Sequence, residues 1–438
     1  MTKSLKDELE KYAESGTSRF HMPGHNGENI SPLYSSAKYD VTELDFNDNL
    51  NCPNDVILDL EKRIAEFCKV DKSLISTAGT TTSILIGLGA LRQFGKVIAI
   101  DQFSHKSVFE AARHWGYKIK IIPRTFTKDG IAEPINIDAF KLYLNSNPDI
   151  KVVSLTTPDY FGNSLDLELT QLVKYNGLKL FIDSAHGAHL RLRTGLAPAS
   201  AVADVVAESW HKTLPVYTGG SILQINDKDG AIIDKALLLR AKVHTSSPSY
   251  LTMASIEEAL NMQIEWVKNN KYEEMLQLKC NIINNHKNFE FIGNPFDPAK
   301  ITVNAKYDDF INHGIQPETI CGRWTNFIIT PFNMDKLNEI DKLLYKLKPI
   351  KKINAVRIPK TPSVLPKPIP ADCAVKYVDL DDSIGKISTS DVGAYPPGVP
   401  ILFEGQVIKK SHVDFLKKNI GHTFNLNQSN IAILDPRS

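Results

Sequence analysis

Ala203-Asp-Val-Val-Ala-Glu-Ser-Trp-His-Lys-Thr-Leu-Pro-Val-Tyr-Thr-Gly-Gly220 is the stretch on which the fold turns. Val205-Val206-Ala207 is a short apolar, β-branched run of the kind buried in a parallel sheet. It runs directly into Ser209, His211 and Lys212, so the strand ends where polar side chains begin. Upstream, Lys179-Leu-Phe-Ile-Asp183 is a second buried run that ends in an acid, 29 residues before Lys212. Open parallel sheets bind ligands outside the carboxyl ends of their strands. A lysine and an aspartate at two such ends therefore predict a reactive site.

Working outward, a short strand running into a small-residue turn is expected over Ser73–Thr82, and further strands at Lys96–Ile100, Lys118–Ile122, Lys151–Thr156 and Gly220–Ile225. The two runs above extend to Leu178–Ile182 and Asp204–Ala207. Val56, Leu60, Ile64 and Phe67 recur at helical spacing and predict an amphipathic helix over 54–69, with Asn54 as its N-cap. Other helices are expected over 83–93, 107–115 and 167–175. Strands alternating with helices give an α/β fold with a mostly parallel sheet covered on both faces. A long helical pattern follows over 250–285, then a smaller α+β unit over 289–347. Five prolines within Val356–Ala371 predict a stiff extended linker before a final segment, Ala374–Ser438. The division expected is an N-terminal segment 1–50, a large domain 51–288 and C-terminal parts 289–438.

Composition narrows the function class. The 438 residues carry a net charge of +1 and 23% charged residues, which gives no strong field toward nucleic acid or membrane. The N-terminus is charged and helical in pattern rather than a signal peptide, and no run of about 18 apolar residues predicts a membrane span. Cys52, Cys68, Cys280, Cys321 and Cys373 are scattered and lack a C-x-x-C pair, which argues against a disulfide framework or zinc site. A cytoplasmic protein with free thiols is expected.

The chemistry suited to a lysine and an aspartate at these strand ends is that of pyridoxal 5'-phosphate (PLP). Lys212 would form a Schiff base with the cofactor aldehyde once desolvation and nearby charge free its amine of a proton. Asp183 would hold the proton on the pyridine nitrogen. Gly79, Thr80 and Thr81 open a helix and suit a phosphate dianion through backbone N–H groups, dipole and hydroxyls. Ser209 and His211 could bind the same phosphate. His105 follows another strand end and could stack on the pyridine ring. His186 could pack near the ring or orient Asp183. His186-Gly-Ala-His189 lacks a further ligand at metal spacing, so no metal is expected.

With these residues placed, the chain resembles the Orn/Lys/Arg decarboxylase family, in its short form without a wing domain. The resemblance rests on His21-Met-Pro-Gly-His25, Thr42-Glu-Leu44, Gly79-Thr-Thr-Thr-Ser83, Ser104-His-Lys-Ser107, Asp183-Ser-Ala-His-Gly-Ala-His189, Ser209-Trp-His-Lys-Thr-Leu-Pro215, Thr245-Ser-Ser-Pro-Ser-Tyr250 and Tyr395-Pro-Pro-Gly-Val-Pro400. It implies the PLP-dependent transferase fold type I and a homodimer with active sites at the interface. It also implies α-decarboxylation of arginine, lysine or ornithine to a polyamine-type amine. It carries the Schiff base to Lys212, the pyridinium partner to Asp183, ring stacking to His105, and phosphate binding to Thr80, Thr81, Ser209 and His211.

The chain departs from the family pattern where Asn49 and Gln406 replace acids. The acid that reads a distal cation is thus left open among Glu404, Asp45 and Asp48. His21, His25 and Tyr160 are further candidates for the substrate side. Two alternatives stand beside decarboxylation. One is another fold-type-I reaction, with Arg323 gripping the α-carboxylate. The other is a PLP-binding paralogue without catalysis.

Overall fold

In the computed structural model, which describes residues 3–193, 195–351, 356–395 and 397–435, the apolar runs form a seven-stranded sheet. Its strands are β1 (Lys72–Ser76), β2 (Val97–Asp101), β3 (Lys118–Ile122), β4 (Val152–Thr156), β5 (Lys179–Asp183), β6 (Val205–Glu208) and β7 (Ser221–Ile225). The order is β1-β7-β6-β5-β4-β2-β3. Only β7 is reversed; it runs antiparallel to β1 and β6, while the pairs from β6 to β3 are parallel.

Helices α1 (Leu5–Glu14) and α2 (Val56–Cys68) precede the sheet. Four more cover it: α3 (Gly79–Leu91), α4 (Lys106–His114), α5 (Ile137–Asn145) and α6 (Leu167–Tyr175). The two-residue period of a strand sends alternate side chains to opposite faces. Phe181, Val205 and Leu223 pack with Ile84 and Leu88 of α3 and Val108 and Phe109 of α4. Leu180, Ile182 and Val206 pack with Phe140 and Leu144 of α5 and Leu169 and Val173 of α6. Both faces are therefore dry, which is why these strands read as continuous apolar runs. Gly87 lets α3 lie close against the sheet: a Cβ there would stand 2.7 Å from Phe181 Cε2 and 3.0 Å from Val205 Cγ1.

The structure corrects three local expectations. The helix expected from Asn54 starts at Val56, and Asn54 is not its cap. Instead the Asp48 carboxylate accepts from the backbone N–H groups of Asn54, Asp55 and Ile57, at 3.0, 2.8 and 3.2 Å. The continuous pattern over 250–285 is two helices, Tyr250–Lys268 and Lys271–Asn285. Asn270 breaks it in the left-handed region at φ 49°, a conformation asparagine tolerates better than most residues. The proline-rich segment is docked rather than free. Ile121 N–H donates to Ser363 O (2.9 Å) and Leu365 N–H to Ile119 O (3.0 Å), so the segment lines the outer edge of β3.

A second, antiparallel sheet holds β8 (Phe291–Ile292), β9 (Lys300–Val303), β10 (Thr319–Cys321) and β11 (Trp324–Ile328) in the order β10-β11-β9-β8. The final segment forms two three-stranded sheets and the helix Lys410–Lys418 around Leu380, Val392, Leu402, Leu416 and Ile431. Pro396 lies outside the described residues. No helix among the described residues is long and apolar enough to cross a membrane.

Candidate active site

A cavity of about 420 Å³ opens at the carboxyl ends of the parallel strands. Gly79, Thr80, Thr81, His105, Asp183, His186, Ser209, His211 and Lys212 all line it, so residues spread over more than 130 positions meet in one place. Each is carried by a strand end or by the turn that follows one.

At one end of the cavity, α3 begins at Gly79, which is in the left-handed region at φ 74°. Gly79 N–H donates to Gly219 O (2.8 Å), which ties the start of α3 to the loop after Lys212. The hydroxyls of Thr80 and Ser209 hydrogen-bond to each other across the two segments. His211 Nδ1 lies 2.8 Å from Gly220 O. Acting as the N–H there, Nδ1 leaves Nε2 as the acceptor. Hydroxyls and the first N–H groups of a thirteen-residue helix form a donor-rich anion cradle.

Asp183 ends β5 and is 3% exposed. Its Oδ1 accepts from Ala185 N–H at 3.1 Å. Burial raises its carboxyl above the ordinary range, and the Lys212 charge works in the opposite direction. Lys212 sits on the short helix α7 (Trp210–Thr213). Burial lowers its amine below the usual lysine range, with Asp183 and Glu318 pulling it back. His105 Nδ1 meets Ser107 Oγ at 2.8 Å and accepts from Ser107 N–H at 3.2 Å. Burial, then the Lys212 charge, push this imidazole down to about 4, so it is neutral near neutral pH.

Two groups that sequence reasoning missed complete this wall. Lys300, at the start of β9, reaches His186 Nδ1 (3.0 Å), while Lys212 Nζ stands 3.2 Å from His186 Nε2. Burial and the flanking lysines hold His186 well below its usual range, hence neutral, with one N–H and one lone pair. Only one of the two amines can donate to it. Lys300 also donates to Tyr160 O (2.6 Å), and the Asp297 and Asp159 charges oppose the burial that brings it to about 8. Lys300 thus keeps its proton near neutral pH. Lys300 and Lys212 therefore compete for the single imidazole lone pair, while burial works against the proton on Lys212. The second missed group is Glu318, whose carboxylate accepts from Tyr160 O–H at 2.9 Å.

A family model described as the Orn/Lys/Arg decarboxylase major domain matches residues 4–361. The chain belongs to the Orn/Lys/Arg decarboxylase family. An arginine decarboxylase of Bacillus subtilis is 26% identical over 94% of this chain and 92% of that protein. A Bacillus subtilis protein described as uncharacterized, YaaO, is 28% identical over 96% of this chain and 95% of its own length. Among solved structures, the lysine decarboxylase LdcF of Francisella novicida superposes with a TM-score of 0.75 over 99% of this chain and 81% of that one, at 18% identity. The fold is that of fold-type-I PLP enzymes. The family consists of PLP-dependent amino-acid decarboxylases.

For an Orn/Lys/Arg decarboxylase the donor set fits the cofactor. A buried carboxyl and a lysine amine lowered by burial face one cavity, with a hydroxyl-rich helix start for a phosphate. Other candidates lie elsewhere. His21 Nε2 meets Tyr12 O–H (2.7 Å) and His25 Nε2 meets Asp40 (3.2 Å); neither lines the cavity of this chain. Asp48 is spent on the start of α2, and Glu404 accepts from Ile369 N–H (2.8 Å). Asp45 does not line the cavity either. Arg323 pairs with Asp129 (2.9 Å) and Glu290 (2.7 Å), which leaves it no free face for a substrate carboxylate. His189 is paired with Asp297 at 2.8 Å.

Proposed function

We propose that this decarboxylase removes the α-carboxylate of arginine, lysine or ornithine as CO₂ and places a proton on Cα, leaving a polyamine-type amine. The observation that carries this is the meeting of Lys212, Asp183 and the Thr80–Ser209 hydroxyl pair in one cavity of a decarboxylase-family fold. PLP bound there supplies an electron sink for the pair left at Cα when the bond to the carboxylate breaks.

The residues have separate tasks in this reading. Lys212, whose amine is lowered by burial and lies beside His186, attaches the cofactor. Asp183 keeps a proton on the pyridine nitrogen. Gly79, Thr80, Thr81 and Ser209 hold the phosphate. His211 joins them only when Nε2 is protonated as well, because its Nδ1–H is given to Gly220 O. Neutral His105 covers the ring. The engagement of Arg323 with two carboxylates weighs against transamination. Two copies of the chain are proposed to form a homodimer that completes each site.

The test is an assay of purified protein with PLP against all amino acids, by CO₂ release and mass spectrometry of the products. The expected outcome is CO₂ with the matching amine from at least one basic amino acid. A keto acid without CO₂ would overturn the reading. With Lys212→Ala, borohydride reduction is expected to leave no cofactor attached to the chain.

A further inference from the structure

A basic amino acid carries a second cation beyond its α-amine, and charge-assisted hydrogen bonds are the strong means of reading it. Resting on the functional reading above, we infer that Glu318 is the carboxylate that receives the distal ammonium or guanidinium of the substrate.

Three carboxylates line the cavity: Asp159, Asp183 and Glu318. Asp183 is buried beside Lys212, at the end where the reacting atoms lie. Asp159 is spent on its own loop. Its Oδ1 accepts from the N–H groups of Phe161 (2.9 Å) and Asn163 (2.8 Å), and its Oδ2 from Asn163 Nδ2 (2.8 Å). Glu318 differs on each point. It is exposed, its Oε1 accepts from Tyr160 O–H, and its Oε2 has no hydrogen-bond or ion-pair partner among the described residues. No lysine or arginine among those residues neutralises it within salt-bridge distance.

Its placement is also fixed. Glu318 N–H donates to Asn326 O (2.9 Å), which anchors its backbone beside the β10–β11 hairpin. The Tyr160 ring stands edge-on to His186 with centroids 5.0 Å apart, and His186 touches Lys212. One wall therefore runs from Lys212 through His186 and Tyr160 to Glu318. A straight basic side chain laid along it has its α-carbon at the amine end and its cation at the carboxylate end. Tyr160 holds Oε1 and leaves Oε2 for the substrate.

The experiment compares wild type with Glu318→Gln as PLP-loaded enzymes. CO₂ release is measured from arginine, lysine, ornithine and an uncharged straight-chain amino acid of similar length. Binding of the product amine is measured by calorimetry. Glu318→Gln is exposed and isosteric, so the fold is retained. The expected result is a roughly 10- to 100-fold rise in KM for the preferred basic substrate. The product amine should bind more weakly by a similar factor. kcat should change little, and the uncharged amino acid should be unaffected. If the wild type releases CO₂ from a basic amino acid and Glu318→Gln leaves both KM and amine binding within about threefold, the Glu318 assignment fails alone. If the wild type releases CO₂ from no basic amino acid, the functional reading falls and this assignment falls with it.

Discussion

At the scale of single residues, the arrangement around His186 explains how a buried lysine can be ready to react. An imidazole between two amines cannot accept from both, so Lys300 and Lys212 compete for its lone pair while burial disfavours the proton on Lys212. Replacing Lys300 with Met removes both the competitor for that lone pair and a nearby cation. Loss of a cation raises the pKa of a neighbouring amine. The pH at which Lys212 captures added PLP should therefore shift upward by about one unit. Stopped-flow absorbance of the cofactor-free protein across pH would show this, with Lys300→Arg restoring much of the charge effect. An unchanged profile would mean that Lys300 serves packing only.

Which residues could be read in advance follows from how each reaches the cavity. Lys212, Asp183 and His105 follow strand ends, and strand ends converge by the geometry of a parallel sheet. Lys300 and Glu318 arrive with a different sheet, whose docking against the first has no local signature. Lys300 opens a buried strand, Lys300–Val303, and a lysine at such a position reads as a solvated strand end. Asp48 was misleading for the opposite reason. An acid in a loop resembles a substrate ligand until its backbone partners are known.

At the scale of elements, the turn at Gly398 and the loop at His105 depend on each other. Gly398 is in the left-handed region at φ 81°, and a Cβ there would lie 2.6 Å from His105 Cδ2. Lys106 N–H donates to Gly398 O at 2.9 Å. Gly398→Ala should displace His105 and weaken PLP binding, read by titration of cofactor absorbance. The strained backbone adds about 1–2 kcal/mol of destabilisation. A second element-scale link is the buried pair of Glu61 on α2 with Arg240. Glu61 also accepts from Ile75 N–H of β1 at 3.0 Å and faces Lys72 at 3.3 Å. Removing one partner of a buried pair strands the other charge. Glu61→Ala should lower unfolding free energy by about 3–5 kcal/mol, seen as a lower urea midpoint.

Element boundaries were legible where apolar period and turn chemistry agreed, as at Leu167–Tyr175. They were not legible at Asn269–Asn270, because the apolar pattern continues across a break made by one left-handed residue. The proline-rich stretch was legible as extended, but its pairing with β3 was not. Ser363 and Leu365 supply the ladder groups between prolines that cannot donate.

At the scale of the whole molecule, the N-terminal segment leaves large apolar side chains in water. Phe20 is 97% and Leu33 93% exposed, with Met22 and Ile30 also exposed. Such a grouping is costly for an isolated chain and suits the proposed homodimer. Sedimentation should give a dimer for the wild type, and Phe20→Asp combined with Leu33→Asp should shift it toward monomer. A wild-type monomer at micromolar concentration would exclude that assembly.

The docking of Gly398 onto His105 also bears on how the protein is made. The Lys212 cavity takes wall residues from Gly79 through Val399, so the chain must be made at least as far as Val399 before the pocket closes. A chain interrupted after β11 would have its reactive lysine but not the turn that packs against His105. Such a fragment would be a poor trap for a reactive aldehyde. A complete cofactor pocket thus has to wait for the turn at Gly398.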